Sequence, residues 1–304
     1  MIVDTAAAFR RAVEGSAAAW GRPTARAAFL VSPVGFRLAE ESATDNRYMR
    51  VGSATSEERA LVEHAALACQ LAASLPVVTF PGDPATPDAV FPNNVFATAP
   101  GRLVVGRMRH QVRRREAGRE DVRRFFADLL GYEVVDLSAD DSLVAELTGP
   151  LVIDRARGIG YCGLTERCDR RGAEAMHRAF GLELTFTFEL RPEEYHANIV
   201  LAVLAGRAAV VHAGSFVDPA VPPAIAAVYG ERTLYLSDEE KLGFVGNSIA
   251  LSAGDVWMSR GAEAALRPAS REALASWGFR VCSAPLEEIE KAGGSLRCCV
   301  AEIY

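Results

Sequence analysis

The chain of 304 residues lacks any apolar run long enough to cross a bilayer. Its longest, from Ile199 to Gly206, falls far below the roughly 20 residues a spanning helix needs. The first twenty residues, MIVDTAAAFRRAVEGSAAAW, lack the basic-then-apolar order of a secretory signal and fit a short amphipathic helix instead. Six cysteines, at positions 69, 162, 168, 282, 298 and 299, include no C-x-x-C pair and no adjoining histidine cluster, which argues against zinc. In a chain of this size without a signal peptide, reduced thiols and a cytoplasmic location are the expectation. No Pro/Ser-rich linker, charge block or low-complexity tract divides the sequence, so one domain is expected. A nucleic-acid footprint is absent too. The formal charge is −6, and the basic cluster Arg107, Arg109, Arg113, Arg114 and Arg115 is followed at once by Glu116, Glu120 and Asp121. One or two of those arginines are free to turn inward while the others stay solvated.

What is present is an alternation of short apolar strands and single helices. With half of its residues hydrophobic, the chain can fill a sizeable core. Strands are expected over residues 27–33, 75–80, from about 94, 102–107, 132–138, 149–154, 159–164, 182–190, 198–206, 207–213, 233–237, 248–254, 256–260, 279–284 and 298–304. Helices are expected from Ser56, which caps SEERALVEHAALACQLAASL, and over 116–131, 169–181, 219–229, 262–277 and 286–293. Strand pairs and helices recur about five times without internal sequence identity. Strict βα alternation would make a doubly wound sheet; paired strands between helices fit a radial array of small ββαβ modules better.

Three segments and the C-terminus carry candidate chemistry. GGSLRCC puts Cys298 behind a glycine-rich turn, whose amides suit a thiolate nucleophile. His196 precedes an apolar run and offers an acid or base, Glu146 heads ELTGPLVID, and Asn93 and Asn94 follow Pro92. If Asn198 lies on a strand with His196, the two share a face. Singly, each is an ordinary structural residue. Together, at strand ends, they supply what cleavage of a C–N bond at a guanidinium or urea carbon requires: a soft nucleophile, polar groups for planar nitrogens, and an acid for the departing amine.

The segments SPVGFRLAEESATDN, PDAVFPNNVFAT, AELTGPLVID, YHANIVLAV, EKLGFVGNSIAL and GGSLRC resemble, in order and spacing, the guanidine-modifying or pentein superfamily of arginine deiminases, dimethylarginine hydrolases, amidinotransferases and arginine dihydrolases. Bacterial citrulline hydrolase-like and arginine dihydrolase-type members are nearest in look. The resemblance implies an α/β, five-bladed propeller of ββαβ modules with pseudo-fivefold symmetry. Residues 28–304 would form a single catalytic domain behind a helical extension over 1–27. It implies Cys298 as nucleophile with Cys299 its neighbour, His196 as general acid/base and Glu146 as its carboxylate. Asp88, Asn93 and Asn94 would grip side-chain nitrogens, and Arg113 and Arg167 the α-carboxylate. Asn46 is a further, more loosely supported substrate contact.

The sequence departs from the deiminase pattern at Asn94 and Asn198, where that pattern has carboxylates, and at Gly149-Pro150, where several relatives carry another acid. Two amides do not neutralise a guanidinium, but an amide can donate to a urea oxygen. A ureido substrate is therefore expected, either citrulline hydrolysed to ornithine, carbon dioxide and ammonia, or arginine processed through a retained ureido stage. Neither metal nor organic cofactor is required. The partner is a small amino acid; nucleic acid and membrane are not expected, and a homodimer stays open. Dimethylarginine hydrolase and amidinotransferase are the enzymatic alternatives, and a non-catalytic binding protein on the same propeller is a third. Replacing Cys298 by Ser should abolish turnover while Cys299→Ser is mild; the opposite result in a turnover assay would transfer the nucleophile to Cys299.

Overall fold

The short apolar runs pair into five separate sheets in a computed structural model, which describes residues 1–14 and 20–304 of a mixed α/β fold. Each sheet repeats one order: a first strand pairs antiparallel with a second, and the second pairs parallel with a third. The five first strands are Phe96–Ala99, Leu151–Asp154, Leu201–Leu204, Ile249–Ala250 and Ala301–Ile303. Parallel pairing demands a crossover, and helical segments supply it between each second and third strand: Glu57–Ala72, Arg170–Phe180 and Val221–Tyr229 are the continuous ones. Ala301–Ile303, from the end of the chain, pairs with Ala27–Val31 near its beginning, so one sheet is built from both ends. Neighbouring first strands touch: Ala301–Ile303 lies beside Phe96–Ala99, and Leu201–Leu204 beside both Leu151–Asp154 and Ile249–Ala250.

Local signals set most helix limits. The Ser56 hydroxyl accepts from the Arg59 amide, and Asp169 caps the helix that Gly181 ends in a left-handed conformation (φ 63°). Several expected elements come out differently. The helix expected over 262–277 divides into Arg260–Ala265 and Pro268–Ser276, because Pro268 forces extended backbone at Arg267. That expected over 116–131 is a series of short turns from Gln111 to Leu129, interrupted at Gly118. In place of a helix over 286–293 there is one 3-10 turn, Ile289–Lys291, before Gly293.

The corrections that matter most fall where strands begin. Pro92–Asn94 and Ala197–Ile199 are 3-10 turns, and Leu296–Cys299 is a single helical turn; the strands start later, at Phe96, Leu201 and Ala301. His196 and Asn198 are thus brought together by a turn, not by strand alternation.

At the N-terminus, Ile2–Val3 adds a parallel fourth strand to the sheet holding Leu184–Glu189. The helix Ala6–Glu14 then lays Phe9 flat on Phe186, with ring centroids 4.5 Å apart. Residues 15–19 of the expected helical segment lie outside the described residues. No helix among the described residues is long and apolar enough to cross a membrane. Because Phe9 is fully buried, Phe9→Ala should cost about 3–5 kcal/mol in denaturant unfolding. A loss below about 1 kcal/mol would mean that this helix is not docked.

Candidate active site

The turns ahead of the first strands converge, and a chain of hydrogen bonds joins them. Thr148 Oγ1 donates to the Asn93 carbonyl at 3.0 Å, and Asn198 Nδ2 to the Thr148 carbonyl at 3.0 Å. Asn247 Nδ2 donates to the Asn198 carbonyl at 2.9 Å, and the Arg297 amide to Asn247 Oδ1 at 3.1 Å. Cys298 follows Arg297. Its Sγ lies 3.4 Å from Asn247 Nδ2 and 3.8 Å from Asn198 Nδ2, so two amides direct N–H groups at the sulfur.

Cys298 opens on a small cavity that Asn46, Asp88, Asn94, Arg113 and Arg167 also line, with Ser42, Phe91 and Tyr195. Behind it, His196 Nε2 donates to Glu146 Oε2 at 2.9 Å, both side chains being fully buried. Gly149 makes room for the imidazole: a Cβ there would meet the His196 ring at 2.6 Å. His196 Nδ1 has no hydrogen-bond partner among the described residues. Of the ten residues expected at the site, six line the cavity, Asn198 reaches the sulfur, and the His196–Glu146 pair is joined to the lining through Arg167. Asn93 does not line it; its carbonyl belongs to the hydrogen-bonded chain and its buried amide finds no partner among the described residues. Cys299 is buried away from the cavity.

The charges are closely matched. Burial opposes ionisation of Glu146, but Arg167, His196 and Arg113 outweigh it and hold the carboxyl down to about 2. Its contribution to stability is complete above the ordinary carboxyl range and is lost as pH falls towards that value. Arg113 forks onto Glu116 with both contacts at 2.9 Å, and Arg167 binds Asp45 at 2.5 Å, Glu146 at 3.5 Å and the Ser42 carbonyl at 2.9 Å. Arg107 and Arg113 are the members of the basic cluster that turn inward. Among the described residues Asp88 makes no ion pair: Oδ2 accepts from Ser42 at 2.6 Å, while Oδ1 and the nearby Asn94 Oδ1 are buried without partners.

A segment over residues 40–50 roofs the cavity. Asn46 Nδ2 donates to the Gly293 carbonyl at 3.4 Å, and Tyr195 donates to the same oxygen at 2.6 Å. Gly293 sits at φ 78°, and a Cβ there would strike Asn46 at 2.5 Å, so glycine is required for the roof to close. Asn247, Asp45, Glu116 and Tyr195 were not anticipated from the sequence. Asn247 lay within EKLGFVGNSIAL, a segment that carries the resemblance, and that is the signal that could have found it.

Residues 32–304 match the family model described as N,N dimethylarginine dimethylhydrolase, eukaryotic. The chain belongs to that family. It is thereby a member of the pentein superfamily of guanidino-modifying enzymes, as its motifs suggested. Comparison with curated protein sequences finds no match. Among solved structures, the chain is similar to the N-terminal domain of ArgZ in a substrate-bound mutant form, an arginine dihydrolase from the ornithine-ammonia cycle in cyanobacteria. Identity is 20%, the TM-score is 0.78, and the match covers 91% of this chain and 97% of that one. Unliganded AgrE matches at 21% identity and TM-score 0.79 over 91% of this chain and 39% of its own. An adduct of a dimethylarginine dimethylaminohydrolase mutant with S-methyl-L-thiocitrulline matches at 20% identity and TM-score 0.71, covering 92% and 100%. At these identities the likeness establishes the fold. Among the described residues no group of three or more His, Cys, Asp or Glu side chains is placed to hold a metal ion.

Burial pushes the Cys298 thiol above its ordinary value, although Asn247, Ser295, Arg297 and Asn198 all pull it back. A small haloacetamide should therefore alkylate Cys298 half-maximally only above the usual thiol value of about 8.5, followed by mass spectrometry of the C-terminal peptide. A rate already at its plateau below pH 7 would contradict the protonated resting thiol.

Proposed function

We propose that this protein is a cysteine-dependent hydrolase that cleaves C–N bonds of arginine, through a ureido stage, towards ornithine with release of ammonia. The carrying observation is the pair of buried, unpartnered acceptors, Asp88 Oδ1 and Asn94 Oδ1, in the same cavity as Cys298. They call for an N–H-bearing planar group. Asp88 adds a carboxylate that makes no ion pair among the described residues, the nearby Arg109, Arg113 and Arg167 being paired with Asp45, Glu116 and Glu146. A guanidinium satisfies both demands. The expectation that Asn198 donates to a urea oxygen loses support, since its Nδ2 is engaged by the Thr148 carbonyl. A citrulline-first reaction is therefore secondary to arginine.

In this reading His196 Nδ1, whose ring burial biases towards the neutral form, takes the thiol proton as Sγ bonds to the guanidinium carbon. The C–N bond breaks, and the same proton passes to the departing amine. Water then adds to the adduct with Nδ1 accepting its proton, the C–S bond breaks, and the sulfur is reprotonated. Glu146 keeps the imidazole oriented and supports its charged form. A cationic substrate also favours the thiolate that burial disfavours. The ureido product repeats the cycle, so arginine and two waters give ornithine, carbon dioxide and two ammonia.

The same reading takes residues 28–304 as one catalytic domain whose five like-ordered sheets form the blades of a propeller, with residues 1–27 as an extension whose described segment 2–14 packs on it. A second substrate, N-methylated arginine, draws support from the family match over residues 32–304. Incubation with arginine, citrulline and dimethylarginine, reading ammonia, dimethylamine, citrulline and ornithine together, separates the two. Two ammonia per ornithine from arginine is expected, with turnover at least about 1000-fold lower in Cys298→Ser. Dimethylamine with citrulline would establish the second substrate, and no product from any of the three would overturn the hydrolase.

A further inference from the structure

The first strands border another, narrow cavity that contains neither Cys298 nor His196. Its walls run along the strands, from Val152, Leu201 and Ile249, whereas the cysteine cavity is lined by the turns ahead of them. Thr148 and Asn198, members of the hydrogen-bonded chain, are shared between its lining and the surroundings of the sulfur.

Arg155 lines this second cavity and is 4% exposed. Its guanidinium lies 4.2 Å over the Tyr304 ring and 5.5 Å from that of Phe180, yet Nη1 is buried with no hydrogen-bond partner among the described residues. An unpaired buried guanidinium donor is costly to leave unmet. The carboxylate of the lining is Glu302, and it is engaged by Arg297 at 2.9 Å and by the Tyr304 hydroxyl at 2.7 Å. Among the lining side chains two arginines share one carboxylate, since Glu302 acts on Arg155 as well as on Arg297, and the pair of guanidinium groups is left one negative charge short. Ser248 Oγ, on the same wall, is likewise buried and unpartnered, and a hydroxyl can donate.

We propose that this second cavity binds a small oxyanion of the phosphate or bicarbonate kind, held by Arg155 with Ser248 as a second donor. A compact ion with several acceptor oxygens matches the guanidinium fork and supplies the missing charge. The site is chemically opposite to the cysteine cavity, whose free groups are acceptors. It does not rest on the hydrolase reading. Bicarbonate and phosphate share the recognition chemistry but have different origins, the first being hydrated carbon dioxide, the second a free phosphate ion.

The test is calorimetric titration of inorganic phosphate, and separately of bicarbonate, into the whole protein and into Cys298→Ser. One ion per chain is expected in both, unchanged when the protein is saturated with arginine; the tighter of the two arms identifies the source. Ser248→Ala should weaken binding about tenfold and Arg155→Gln should abolish it. Should Arg155→Gln fail to fold, the Ser248→Ala result and the arginine competition decide alone. No binding of either ion, displacement by arginine, or affinity unaltered in the variants would each overturn the proposal, and none depends on whether the enzyme turns over.

Discussion

The arrangement around Cys298 depends on side chains at the heads of strands binding one another's backbones. Thr148, Asn198 and Asn247 each reach a carbonyl in the turn ahead of a neighbouring first strand, and Asn247 also receives the amide of Arg297. These are groups that a turn would otherwise leave to water, and here they are buried. A buried polar group left unpaired costs more than a made hydrogen bond contributes, so the turns are fixed relative to one another. The sulfur's position follows from that register, because two of the same amides point at it.

Electrostatics then sorts the cavity into roles. Glu146 can remain charged in a fully buried position only because Arg167, His196 and Arg113 surround it. Arg113 and Arg167 are in turn held by Glu116 and Asp45, which leaves little charge uncommitted except at Asp88. A binding pocket whose own ions are mutually satisfied presents one demand to a ligand, and that demand is for N–H donors. Gly149 and Gly293 let this happen at close quarters, the first by admitting the imidazole and the second by admitting the roof.

Much of this was legible before any coordinates. Glycine and proline punctuation separated the strand pairs and helices, and five sheets of one order correspond to the five recurrences read from the pattern. Cys298, His196 and Glu146 stood out because their residue types suit one reaction and each heads an apolar run. The turns at Pro92–Asn94, Ala197–Ile199 and Leu296–Cys299 were not legible, since apolar residues on both sides make a one-turn 3-10 or helical segment look like the start of its strand. Asp45, Glu116 and Asn247 were missed for a different reason. Their significance lies in partners distant in sequence or in a carboxylate–guanidinium fork that a charge-rich stretch conceals.

The sheet that carries Cys298 joins Ala301–Ile303 to Ala27–Val31, two segments separated by nearly the whole chain. The turn that holds the Cys298 sulfur is therefore anchored by a contact between distant stretches of sequence, whereas the His196–Glu146 contact spans 50 residues. The entropy lost on closing so long a loop falls on the segment that places the sulfur, not on the one that pairs the imidazole with its carboxylate.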